Sequence, residues 1–171
     1  LALGQVTSTY SEEVPEGFVI GSLALSEDLP RNASVDLEVS DGPPPRVIPE
    51  GLVGQEVEEV QNILAALGLN LEIVEEYSSI VEASLVSSVS PQEQSEVDFG
   101  STVVIGISLG LMPRPVPDVV GRDLVSAEMR LQSDGFLVIA VSGNESGVVV
   151  AQTPIAGEMA IPNDTIELVT E

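Results

Sequence analysis

The sequence predicts an α+β chain built of small tandem units, and three observations carry that prediction. One is self-similarity: Ile48-Pro49-Glu50-Gly51-Leu52-Val53-Gly54 resembles Val116-Pro117-Asp118-Val119-Val120-Gly121, the two ending on glycines 67 residues apart. At the same spacing Val57, Val60 and Leu64 fall on Leu124, Ala127 and Leu131, and Gly68-Leu69 falls on Gly135-Phe136. Another is a single switch of hydrophobic period inside each copy, from helical to alternating. The third is proline at two places between copies.

The helix comes first in each copy. Val57, Val60, Ile63, Leu64 and Leu67 follow the i, i+3, i+4, i+7 pattern with Glu56, Glu58 and Glu59 on the other side, and Gly68 ends the run. Leu124, Ala127 and Leu131 repeat it, with Asp123 placed to cap the N-terminus and Gly135 to stop the C-terminus. Strands follow: Leu69, Leu71 and Ile73 alternate with Asn70, Glu72 and Val74, and Val103, Ile105 and Ile107 alternate further on. The second half of the unit recurs three times, over 20–39, 86–107 and 149–169, as β-branched stretches around a polar turn. These turns include Leu29 to Val35, Val97 to Val103, and Ile161 to Ile166. Pro91 and Pro154 stand nine residues before Gly100 and Asn163, whereas the first copy has Ala24 in the proline place.

The expected organisation is therefore 1–42, the later part of a unit whose helix lies upstream, then two complete units at 43–110 and 111–171. The joints Gly42-Pro43-Pro44-Pro45 and Met112-Pro113-Arg114-Pro115 should be extended and stiff, because proline fixes its own φ and restricts the residue before it. Units of ~60–70 residues close small cores of their own, giving an elongated arrangement of beads on a string.

Composition excludes many chemistries. The 171 residues contain neither Cys nor His, which removes Ser-His-Asp and Cys-His catalysis, thiol redox chemistry and the usual zinc sites. No cofactor is expected. Aromatics are 3% against 43% hydrophobic residues, so the cores must be aliphatic. A net charge of −23 repels nucleic acid. The acid is spread out: eight acids to one arginine in 1–42, eleven to one in 43–110, nine to three in 111–171. The longest apolar stretch, Val103 to Met112, is too short to span a bilayer, and the chain start has no signal-peptide character.

Together these motifs resemble the PASTA domain family. The resemblance rests on Val116-Pro117-Asp118-Val119-Val120-Gly121, the helix Asp123 to Leu131, Asp134-Gly135-Phe136, the run Val149 to Gly157 containing Gln152-Thr153-Pro154, and the closing Ile161 to Val169. It implies units of one helix on a roughly three-stranded antiparallel sheet, strung in tandem on the outer side of a bacterial membrane and within the wall. It further implies the non-catalytic sensor region of a membrane-anchored Ser/Thr protein kinase, binding peptidoglycan fragments or a lipid-linked wall precursor, with ligand-promoted homodimerisation as a further expectation. Two rival readings follow from the same resemblance: a rigid spacer, or the PASTA region of a penicillin-binding protein. The middle unit departs from the family's Gln-x-Pro-x-x-Gly run, having Ser88-Val89-Ser90-Pro91-Gln92-Glu93-Gln94 in its place.

The candidate ligand-binding residues are Arg114, Arg122 and Arg130. A guanidinium can grip a carboxylate through two parallel hydrogen bonds, which suits an acid-ended stem peptide. Arg122 adjoins Asp123, and Arg130 can reach Ser126 or Asp134 at helical spacing, so internal pairing competes with ligand. Arg31 and Arg46 are weaker candidates. The adjacent acids Glu12-Glu13, Glu58-Glu59 and Glu75-Glu76 read as solvated charge, and no calcium-loop pattern is present. Phe136 is expected in the core, and the corresponding Tyr10 and Tyr77 at strand ends in structural roles.

Overall fold

The computed structural model describes residues 2–22, 33–144 and 146–171. Arg31, Ala24 and most of the first copy's turn lie outside the described residues. The chain divides into two compact units, Leu1–Val74 with Leu85–Ile107, and Glu75–Ser84 with Ser108–Glu171.

The first unit opens with β1 (Ala2–Thr9), β2 (Val19–Ser22) and β3 (Ser34–Ser40), ordered β1-β3-β2. Among the described residues no helix lies between them, and Leu3, Val6, Phe18 and Val19 are exposed. The helix-bearing copy follows. A two-residue strand β4 (Arg46–Val47) pairs antiparallel with β7 (Glu96–Val97), and α1 (Val57–Ala66) covers a sheet ordered β5 (Asn70–Glu76), β8 (Thr102–Ser108), β6 (Val86–Ser90). The apolar stripe does what its spacing predicts: Val60 and Leu64 are fully buried, and they pack with Ile48, Leu52, Leu69, Val86, Val103 and Ile105. Gly68 stops the helix at φ +71, where the left-handed conformation costs a glycine little.

The second unit repeats the plan. β9 (Arg114–Pro115) pairs antiparallel with β12 (Met159–Ala160), and α2 (Leu124–Ser133) covers β10 (Leu137–Gly143), β13 (Thr165–Thr170) and β11 (Val149–Thr153), in that order. Leu124, Ala127 and Leu131 are buried with Val119, Phe136, Val149, Ile166 and Leu168. Phe136 is the one aromatic in either core, as its place behind the helix-ending glycine predicts. Asp123 caps α2, its carboxylate accepting from the Ser126 N–H at 3.0 Å, whereas the matching Glu56 makes no side-chain cap at α1.

One expectation about the sheets is corrected. Two are mixed rather than antiparallel: β10 runs parallel to β13, with β11 antiparallel on its other side, and β1 and β2 flank β3 in the same way. The last strand of the unit takes the centre, and β11 and β12 both lie between β10 and β13, which supplies the long connection a parallel pair needs. Among the described residues no sheet mixes strands from different copies of the repeat. Phe99, one of the few aromatics, is 47% exposed and is not a core residue.

The two aliphatic cores are separate clusters, so damage to one should remain local. Leu131→Ala should cost about 2–5 kcal/mol, read from urea unfolding of the second unit. Amide exchange at Val103 and Ile105 should be unchanged; loss of their protection would show that the cores are coupled.

Candidate ligand-binding surface

Each proline-led entry segment bends sharply on to its sheet, and the bend leaves backbone N–H groups with no helix or strand to bond to. In the second unit the buried Gln152 answers that need. Its Oε1 accepts from Val119 N at 2.9 Å, while Nε2 donates to the carbonyls of Pro117 at 3.0 Å and Pro154 at 3.3 Å. In the first unit no glutamine stands at that place, and Glu93 does the work from the far side of Pro91. Its carboxylate accepts from Gly51 N at 2.9 Å, Leu52 N at 2.8 Å and Val53 N at 3.1 Å. The Gly51 bond first, then those of Val53 and Leu52, hold the Glu93 carboxyl below the usual carboxylate range, with partial burial opposing. The departure from the family's Gln-x-Pro run is thus an exchange of one acceptor for another.

The three candidate arginines sit on different elements. Arg114 is exposed on β9. Arg122 is exposed in the turn before the α2 cap. Arg130 lies in the last turn of α2 and pairs with Asp134 at 3.0 Å, one of the two partners its spacing offered. Arg122 precedes the α2 cap and Arg130 lies in its last turn, with their backbones about 12 Å apart along the helix axis. The Ser126 hydroxyl and N–H hold Asp123 below the usual Asp range, with Arg122's charge a minor contributor. Among the described residues Arg114 and Arg122 form no ion pair.

Arg46, the weaker candidate, is a structural residue. Its Nη2 meets Glu12 Oε1 at 2.5 Å, its Nε donates to the Leu67 carbonyl at 3.1 Å, and its guanidinium lies 5.3 Å from the centre of the Phe99 ring. This cluster ties the β1–β3 copy to the α1 copy within the first unit. Gly68 lies directly under the Phe99 ring, where any side chain would collide with it. Tyr10 and Tyr77 stay about half exposed just past β1 and β5. No helix among the described residues is long and apolar enough to cross a membrane.

Comparison with known proteins fits this geometry. The PASTA domain model matches residues 47–109 and 115–171, and the chain belongs to the PASTA domain family. The "Probable serine/threonine-protein kinase PknB" of Bifidobacterium longum is 30% identical over 151 residues, covering 86% of this chain and 21% of that protein. A probable serine/threonine-protein kinase of Streptomyces coelicolor is 27% identical over 148 residues, 83% of this chain and 22% of its own length. The chain thus spans about a fifth of the curated relatives it matches. Among solved structures, the entire extracellular region of the Ser/Thr kinase PrkC from Staphylococcus aureus superposes with a TM-score of 0.60 at 26% identity, over 99% of this chain and 62% of that one.

The two clamps should respond differently to acid. Glu93's lowered pKa adds stability that is complete above the ordinary Glu value and is lost as pH falls through the folded one. The melting-temperature gap between wild type and Glu93→Gln should therefore shrink below about pH 4. Gln152 does not titrate; Gln152→Ala should cost about 1–3 kcal/mol, nearly independent of pH over the same range. Equal pH profiles for the two variants would refute the carboxylate clamp.

Proposed function

We propose that this chain is a non-catalytic segment from the extracellular side of a membrane-anchored bacterial Ser/Thr protein kinase, and that it senses the wall by binding peptidoglycan fragments weakly through its C-terminal PASTA repeat. The observation that carries the reading is where positive charge lies. Three of the five arginines fall in 111–171, and two of those three have no internal ion-pair partner among the described residues. With nine acids to three arginines, against eight to one and eleven to one before it, this repeat is the least repulsive to an anionic ligand. Family membership and the extracellular PrkC likeness support the placement of the segment.

A second reading, that of a spacer, has its own support in Arg46, which fixes one copy against the next. Titration of labelled protein with muropeptides separates the two. The sensor reading expects chemical-shift changes around Arg114, Arg122 or Arg130 at millimolar ligand. Silence at all three, with Arg46→Ala lengthening the range of conformations seen by solution scattering, would leave the spacer.

A further inference from the structure

The repeat carries two arginines at one structural position. Arg46 on β4 pairs across to Val97, and Arg114 on β9 pairs across to Ala160 in the matching two-stranded sheet. What surrounds them differs, and the difference can be traced residue by residue. After β1 the Ser11 hydroxyl accepts from Glu13 N and Val14 N, and Ser40 donates to the Val14 carbonyl. After β5 the Ser78 hydroxyl accepts from Ile80 N and Val81 N, and Ser108 donates to the Val81 carbonyl. The two loops are the same device, and they place Ser79 where Glu12 stands. The Phe99 position is likewise filled by Pro162, since Gly100 N bonds to the Gly68 carbonyl and Asn163 N to the Gly135 carbonyl. Arg46 thus has a carboxylate and a ring; among the described residues Arg114 has neither.

We propose that Arg114 and the Ser78–Glu82 loop form a receptor for a carboxylate brought by the ligand, seated where Glu12 sits against Arg46. This rests on the wall-fragment reading above and names the group recognised: a peptide carboxylate next to a short aliphatic side chain. The loop borders a shallow depression of about 220 Å³ lined by Ser78, Ser79, Ile80, Gly110 and Leu111, with Glu82 also on its rim. Ile80 is 90% exposed, an apolar surface that the fold does not use and that a ligand methyl group can cover. All of these residues, Arg114 included, belong to the second compact unit. Glu82 keeps affinity low by opposing the incoming charge.

The equivalence of the two loops makes a test without ligand possible. Ser79→Glu should supply the missing carboxylate from within and slow exchange of the Arg114 Nη protons, bringing it toward that of the Arg46 Nη2 protons that Glu12 holds. Arg114 Nη protons that do not respond overturn the inference. With a purified disaccharide-tetrapeptide as probe, wild type should show shifts at Ser79, Ile80 and Arg114. Binding should weaken about tenfold in both Arg114→Gln and Ser79→Glu and hold in the uncharged Ser79→Gln. Shifts confined to Arg122 and Arg130 that survive both variants overturn this receptor and leave the sensor reading standing. No shift anywhere in wild type overturns both.

Discussion

Backbone N–H groups at the Gly51–Val53 and Val119 bends make the central demand on this fold. Each bend folds a proline-led segment over the end of a small aliphatic core, and neither helix nor strand can accept from it. The Leu52 and Val119 N–H groups are the more buried of these donors, and one left unmet costs on the order of a core methylene or more, a large loss for a ~60-residue unit without cysteine. Gln152 and Glu93 meet the demand with different chemistry. The amide both donates and accepts, so it ties Pro117, Val119 and Pro154 together. The carboxylate only accepts, and it gathers three N–H groups in a row. Ile48, Leu52, Val116 and Val119 are buried on the far side of those bonds.

Much of this was legible from residue spacing. The helices, their glycine stops, the Asp123 cap and the buried Phe136 are local signals, each decided by a few consecutive residues. Strand direction is not local. Alternation shows which side chains share a face but not which way a neighbour runs, so the parallel pairing of β10 with β13 was hidden. The strand after α1 also loses its alternation toward the end, with Ile73 and Val74 both more than two-fifths exposed.

The candidate surface was legible only as a list of cations. Sequence spacing found the Arg130–Asp134 pair because helical neighbours are four apart. It missed Arg46 with Glu12, 34 residues away, and Glu93 with Leu52, 41 away, because both depend on tertiary placement. A signal was present for Glu93: the middle copy lacks the glutamine but keeps the bend, so some acceptor near Pro91 had to replace it. For Arg46 and Arg114 the signal was the two-stranded pairing, which aligns residues 68 apart rather than 67 because the middle copy's entry segment is one residue longer.

Gly68 links two properties that are usually encoded apart. The absence of its side chain ends α1 and also makes room for Phe99, on whose ring the Arg46 guanidinium rests. The contact between the first two copies is therefore written partly inside the repeat, beyond the prolines that join them. Recombining modules of this kind would carry the Gly68–Phe99 seat along with the transplanted module, and exchanging linkers alone would not.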